Sequence, residues 1–461
     1  MKTKINRVVK PVLTQSDNKF NRGVSECLYE RMASYDTPGV SIALIDDFEI
    51  KWACGYGVKQ FGINDLVTDT TRFQAGSISK PVFALAVMLL DQAGEIDIDR
   101  NVNDYLNVWK MKSNNGWQPR VTLRQLLSHS AGVTVSSFPG YLKNEKIPST
   151  IEILMGLEPS VTESVKVDYL PGGHFRYSGG GYTIAQLVIE ELMEKSFPEI
   201  MKELVLGPFG MNNSTFEQIL PQATAEEVSS GHFKKKQTIK GGYHIYPEMA
   251  AAGLWTTPTD LASLGVALQS VLSSKSCGPL ERNTILRMLE PQTNPRMGIG
   301  FYLEGRGKDL RFTHNGCNEG FTSRLTLYKN HGKGAVIMVN ANEDGKLIFE
   351  IEKELAREYN WPGYFPREIS KGISIDSHLE RITGRYIVRK NVETMIQINN
   401  NQLELVFDHQ PPLILIPETK NKFRISEIKS VVYVENDKQG EVVGLSIHEG
   451  DNKIFARKSK F

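Results

Sequence analysis

No stretch of this chain approaches the ~20 apolar residues needed to cross a bilayer, and neither sign of charge is in excess. Lys and Arg number 54 against 53 Asp and Glu, a formal net charge of +1. That balance removes the electrostatic pull on which nucleic-acid binders and membrane-surface proteins depend. Neither nucleic acid nor stable membrane insertion is therefore expected. The four cysteines, Cys27, Cys54, Cys277 and Cys317, are scattered with no C-x-x-C pair. This argues against a zinc site and a dense disulfide framework, and leaves buried or half-buried free thiols as the expectation. H-E-x-x-H, G-x-S-x-G and G-x-x-x-x-G-K-[ST] are missing, so zinc-protease, α/β-hydrolase and P-loop readings have no support. No metal or organic cofactor is expected. The basic opening has no apolar run behind it, because Asp17, Asn18 and Lys19 interrupt before a signal-peptide core can form. A cytoplasmic location follows as the expectation. Internal repeats and low-complexity tracts are lacking too.

What is present reads as two domains. Residues 20–35 carry Val24, Cys27, Leu28 and Met32 at helical spacing, then Pro38-Gly39 breaks the pattern. Val40 to Ile45 and Glu49 to Cys54 read as a hairpin turning at Asp46-Asp47. From Gly76 the apolar residues Val82, Phe83, Leu85, Ala86, Leu89, Leu90 and Ala93 recur at helical steps, and Gly94 stops the helix. Short helices are predicted behind Thr122, over Thr183 to Glu194, and from Thr257-Pro258. The polar, lysine-rich segment 212–245, with Lys234-Lys235-Lys236, reads as a solvated surface excursion. Ser323 to Tyr328 and Ala335 to Asn340 form a second hairpin, followed by a helix through Leu347, Ile348, Ile351, Leu355 and Tyr359. Strands at both ends with helices between them predict an α+β domain over 1–365, one antiparallel sheet flanked by helices. Trp361 to Pro366 reads as a linker. Beyond it helix signals vanish. Six short strands, at 384–388, 395–398, 403–407, 413–416, 431–435 and 442–447, predict an all-β domain over 370–461, a small up-and-down barrel of lipocalin-like kind.

Three segments carry the chemistry. In Gly76-Ser77-Ile78-Ser79-Lys80, Ser77 and Lys80 stand three apart at a helix start, on one face and within reach of each other. A serine hydroxyl needs a neighbour to take its proton. A lysine can do so only if burial lowers its pKa, and the apolar run behind Lys80 supplies the burial. Ser16/Lys19 and Ser426/Lys429 share the spacing but not the preceding glycine and following apolar helix. The second segment, Pro171 to Tyr182, is glycine-rich around Tyr177, whose phenol could shuttle a proton or could be a tyrosine packed in a turn. The third, Phe312 to Phe321, is a strand end of small residues with His314, Asn315, Gly316 and Cys317. It can offer a backbone N–H to a reacting carbonyl alongside that of Ser77, or be a strand end with a surface histidine. His129 reads as packing or helix capping. Glu319 reads as a pocket or rim carboxylate.

The order Ser-x-x-Lys, Tyr-Ser-Gly, His-x-Gly resembles the penicillin-binding and serine β-lactamase superfamily. It is most similar to the branch of class C β-lactamases, D-Ala carboxypeptidases, D-aminopeptidases and related esterases. Thr122 to Gly132 and Met249 to Asp260 add matching phrases, and the resemblance spans roughly residues 20–360. It implies an antiparallel sheet with an all-helical lobe. It implies acylation of Ser77, proton handling by Lys80 and Tyr177, and an oxyanion held by the N–H groups of Ser77 and Cys317. His314 stands where many relatives carry lysine, and Gly179 replaces the asparagine usual two residues after the tyrosine. Tyr105-Leu106-Asn107 fits Tyr-x-Asn literally but lacks the glycine-rich setting. The implied activity is hydrolysis of an amide, peptide or ester bond in a small molecule or short peptide. The alternative is a penicillin-binding or sensory protein that scarcely turns over. A homo-oligomer is compatible with either.

Overall fold

A computed structural model describes residues 28–112, 116–275, 277–365, 377–389, 392–399, 402–407, 412–425, 430–449 and 452–459. The chain divides into two compact units between Tyr364 and Phe365. Of the predicted N-terminal helix, Leu28–Ser34 (α1) is helical; Val24, Cys27 and both further Ser-x-x-Lys copies lie outside the described residues.

The first unit is built on a six-stranded antiparallel sheet in the order β2-β1-β8-β7-β6-β5. Its strands are β1 (Gly39–Asp46), β2 (Glu49–Gly57), β5 (Tyr302–Glu304), β6 (Arg311–Asn318), β7 (Phe321–Tyr328) and β8 (Gly334–Val339); Phe73–Gln74 (β3) and Trp255–Thr256 (β4) form a separate pair. Strand β1 is buried along nearly its whole length because helices cover the sheet on both faces. Ile45 and Leu327 touch the helix Pro258–Leu272, close enough that Gly265 has no room for a side chain. Arg324 and Thr326, on the other face of β7, meet Glu352 of the helix Lys346–Glu358.

The helical lobe contains α2 (Ser79–Ala93) and α3 (Gly179–Met193). Gly94 ends α2 in the left-handed conformation, as its sequence position predicts. The lobe's core is aromatic: Phe83 lies 6.2 Å from Tyr182 and 5.4 Å from Phe197, centroid to centroid, and Phe197 lies 5.2 Å from Phe216. Thr122 caps the short helix Leu123–Leu127 through a reciprocal bond with Gln125.

Several expectations need correction. Helix α3 begins at Gly179 rather than Thr183, because Ser178 caps it and the glycines let it pack closely: a Cβ on Gly180 would stand 2.9 Å from the Thr134 carbonyl. The 212–245 segment is irregular but not wholly superficial, since Phe216, Ser229 and His232 are fully buried. His232 is satisfied there by the Asn340 carbonyl and the Phe61 N–H, which offsets the cost of burying it. Cys277 and Cys317 are exposed rather than buried. Cys317 shares with Asn315 the exposed positions of β6, which alternate with buried ones. Trp361 and Tyr364 are packed, not linker-like, with rings 5.6 Å apart.

The second unit is a closed eight-stranded barrel, β10-β11-β12-β13-β14-β15-β16-β9, in which every pair is antiparallel. Its strands are β9 (Gly384–Arg389), β10 (Val392–Asn399), β11 (Gln402–Phe407), β12 (Leu413–Thr419), β13 (Lys422–Ile425), β14 (Ser430–Asn436), β15 (Val442–Glu449) and β16 (Asn452–Lys458). Tyr386, Ile396, Leu405, Leu415, Phe423, Val432, Leu445 and Ala456 form its core. Among the described residues no helix is long and apolar enough to cross a membrane.

Candidate active site

Ser77 occupies a single 3-10 turn, Gly76–Ile78, that runs directly into α2. Gly76 adopts φ +52, where any other residue is strained, and a Cβ there would stand 2.6 Å from the Cys317 nitrogen. Side chains fasten this turn. Ser79 Oγ donates to the Gly76 carbonyl at 2.6 Å and accepts from the Leu254 N–H at 3.0 Å. Ser323 Oγ donates to the Ala75 carbonyl at 2.8 Å.

Lys80 follows at the first turn of α2 and is 2% exposed. Its Nζ donates to Ser77 Oγ at 2.9 Å and to the Ala251 carbonyl at 2.8 Å. Burial alone pushes its pKa down from 10.5 to about 7. Desolvation disfavours the ammonium, and both Nζ contacts can be made by a neutral amine.

Tyr177 completes the group. Its ring centroid lies 5.0 Å from Lys80 Nζ. Burial raises its pKa to about 12, with the neighbouring Ser77 side chain pulling the other way. The phenol therefore keeps its proton at neutral pH. Behind it stands His129, a buried residue that its sequence position marked only as packing or capping. His129 stacks on Tyr177 with centroids 4.2 Å apart and planes 36° from parallel. Nothing in its local sequence announces that contact beyond its place inside the motif phrase Thr122 to Gly132.

His314 lies on β6 on the same side as this group. It is 2% exposed, 6.5 Å from the Tyr177 ring and 5.3 Å from the Tyr302 ring. Its Nδ1–H donates to the Asn315 carbonyl at 2.6 Å, which leaves Nε2 as a buried acceptor with no partner among the described residues. Burial first, then Lys80, push its pKa down to about 3. It is a neutral imidazole, not a cation.

The rest of β6 is held against the Ser77 turn. Gly316 has no space for a side chain: its Cβ would stand 1.9 Å from the Ala75 carbonyl oxygen. Asn318 Nδ2 donates to Gln74 Oε1 and to the Ala252 carbonyl, each at 3.0 Å. Asn315 is exposed, with its Oδ1 bonded by Arg324 at 2.8 Å. Arg324 is itself buried and paired with Glu352 at 2.7 Å. Strand β5 pairs only with residues 311–313 of β6. Among the described residues no strand covers 314–318 on the edge away from β7.

Ser77, Lys80, Tyr177 and His314 are thus gathered in one place, and Gly316 and Cys317 lie against the Ser77 turn. Gly179 stands apart in function: its N–H donates to the Ser136 carbonyl at 3.0 Å, inside the first turn of α3. Tyr105, the literal Tyr-x-Asn alternative, bonds to the backbone of Asp97 instead. Among the described residues no group of His, Cys, Asp and Glu could hold a metal.

The chain is similar to Protein flp of Staphylococcus aureus (strain MW2), 23% identical over 322 residues, 67% of this chain and 60% of that protein. It therefore spans well under two thirds of that relative's length. It is also similar to penicillin-binding protein 4* of Bacillus subtilis (strain 168), 22% identical over 76% of this chain and 80% of that protein. Among solved structures, that of SurE superposes with a TM-score of 0.59 at 19% identity, covering 94% of this chain and 97% of that one. At that identity the likeness speaks to the fold. The Beta-lactamase family model matches residues 24–355, the whole stretch that holds the serine, lysine, tyrosine and histidine segments. The chain belongs to the Beta-lactamase family, the serine hydrolase superfamily that its motifs resemble.

Proposed function

We propose that this protein hydrolyses an amide, peptide or ester bond through an acyl-enzyme on Ser77. One observation carries the reading: a buried lysine, brought to a pKa of about 7, stands 2.9 Å from the hydroxyl it would deprotonate, close enough for the neutral amine to accept the Ser77 proton. Ser77 Oγ attacks the carbonyl carbon and its proton passes to Lys80 Nζ. The carbonyl electron pair moves onto oxygen, where the N–H groups of Ser77 and Cys317 stabilise it. The tight approach of Gly76 to the Cys317 nitrogen supports that pairing. Collapse breaks the bond to the leaving group, which takes the proton from Lys80 through the Tyr177 phenol. Water then attacks the ester, with the proton path reversed.

Tyr177 acts as a neutral relay in this scheme, since its pKa of about 12 makes it a poor free phenolate. His314 contributes an acceptor rather than a charge. The substrate lies along the uncovered edge of residues 314–318, where an extended backbone can add as a strand. A neutral His314 offers no counter-charge to a substrate carboxylate, which favours uncharged amides and esters.

A panel of D-amino-acid amides, short acyl esters and a chromogenic cephalosporin, run with wild type and Ser77→Ala, tests the proposal. Turnover of at least one class that disappears in Ser77→Ala is the expected result. Stoichiometric labelling of wild type without turnover of any class would favour the penicillin-binding or sensory alternative. Activity that survives in Ser77→Ala would remove Ser77 from the chemistry.

A further inference from the structure

We propose that His129 is a positioning residue for Tyr177, clamping the phenol ring against the Ser77–Lys80 pair. The inference rests on the hydrolase reading above for its meaning, and on geometry for its substance. His129 grips the tyrosine's own stretch of chain at two points. The Arg176 N–H donates to the His129 carbonyl at 2.7 Å, and the Ser178 N–H donates to His129 Nδ1 at 3.1 Å. These two bonds bracket Tyr177 on either side in the chain. The imidazole then covers the face of the ring between them, 4.2 Å away. Tyr182 and Phe175 wall the imidazole in turn, at 5.3 Å and 5.9 Å.

Two features weigh against simple packing. The His129 backbone sits at φ +57, in the left-handed region where asparagine or glycine would be easier to hold. The Nδ1 that accepts from Ser178 fixes the proton on Nε2, and that N–H is buried with no hydrogen-bond partner among the described residues. A residue present only to fill space would carry neither cost. Asparagine could tolerate the backbone and supply the acceptor, but has no ring. Phenylalanine could supply the ring, but has no acceptor. Histidine meets both requirements at once. Burial, with Lys80 and His314 adding to it, also drives its pKa well down, so the clamp places no charge beside the lysine.

The test pairs kinetics with a direct view of the phenol. His129→Asn keeps the acceptor and suits the backbone; His129→Phe keeps the ring. In full-length protein with 13Cζ-labelled tyrosine, the signal lost in Tyr177→Phe identifies Tyr177. That signal should shift or broaden in His129→Asn and move less in His129→Phe. Single-turnover acylation by a p-nitrophenyl ester should fall on the order of tenfold to a hundredfold in His129→Asn. In the double variant His129→Asn/Tyr177→Phe it should fall no further than in Tyr177→Phe alone. Losses that multiply in the double variant, or a Tyr177 signal unmoved by His129→Asn, would overturn the proposal. If wild type itself fails to acylate, the hydrolase reading falls while the Tyr177 signal still decides whether His129 holds the ring. Should His129→Asn fail to fold, His129→Gln is read by the same two measurements.

Discussion

Changing pH alone, with no mutation, is the sharpest perturbation of the Ser77–Lys80 pair. Lys80 must be neutral to accept a proton, and its pKa lies near 7 rather than 10.5. The neutral fraction is then roughly 9% at pH 6, 50% at pH 7 and 91% at pH 8. Acylation should therefore rise about fivefold to sixfold from pH 6 to 7, less than twofold from 7 to 8, and flatten beyond. A lysine left at 10.5 would be neutral in only about 3 molecules per 10,000 at pH 7, and its rate would climb tenfold per unit to about pH 10. No other member of the group should contribute a limb in that window. The Tyr177 pKa of about 12 lies above it, and the His314 pKa of about 3 lies below it. The assay is the burst phase of p-nitrophenol release from an activated ester, by rapid mixing between pH 5.5 and 10. A tenfold-per-unit rise persisting past pH 9 would refute the argument that burial activates this lysine.

Lys80→Met should abolish that burst yet stabilise the fold. The unfolded chain keeps the lysine protonated up to about 10.5, whereas the folded chain releases the proton near 7. Wild-type stability thus rises with pH between those values, and the burial penalty is complete below 7, with a ceiling on the order of 5 kcal/mol. Loss of the hydrogen bond to the Ala251 carbonyl takes back about 1–3 kcal/mol. A higher unfolding temperature for Lys80→Met at pH 6, with a smaller gain at pH 9, is the expected pattern in thermal melts. Gly316→Ala should destabilise by about 1–3 kcal/mol and slow acylation, because its Cβ drives β6 off the turn that carries Ser77; urea melts and burst kinetics read both. Glu352→Ala removes the nearer of the two carboxylates that hold Arg324, leaving Glu304 at 3.3 Å, and the lost charge-assisted bond should cost about 1.5–3 kcal/mol in a urea melt.

Much of this fold is legible in the sequence because local signals and tertiary context agree. Thr122, Thr257 and Gly94 mark helix ends where the structure has them; of the two hairpins read from the sequence, that of β7 and β8 turns at its Lys329–Lys333 loop, and that of β1 and β2 turns at Asp47-Phe48, one residue beyond the Asp46-Asp47 expected. The misses have physical causes. Strand β13, Lys-Phe-Arg-Ile, and β16, Asn-Lys-Ile-Phe-Ala-Arg-Lys, are short and charged, and become strands because barrel closure pairs them on both sides. The glycines at 179–181 read as a turn because propensity disfavours them in helices, whereas close packing of Gly179 and Gly180 against residues 134–138 requires two of them there. In the site, the three-residue step from the 3-10 turn into α2 places Ser77 beside Lys80. Tyr177 and His314 arrive from distant segments, and their grouping was anticipated through motif order rather than through any local pattern. The contact of His129 with Tyr177 depends on ring orientation across a fold, which no one-dimensional pattern encodes.

Catalysis of this kind requires that one hydroxyl become covalently acylated. Wild type quenched in acid within milliseconds of mixing with a slowly hydrolysed activated ester, then digested and sequenced by mass spectrometry, tests this most directly. One acyl group per chain is expected, on Ser77, absent from Ser77→Ala and not accumulating in Lys80→Met. An acyl group on another residue, or turnover with no covalent species trapped at any time, would contradict it.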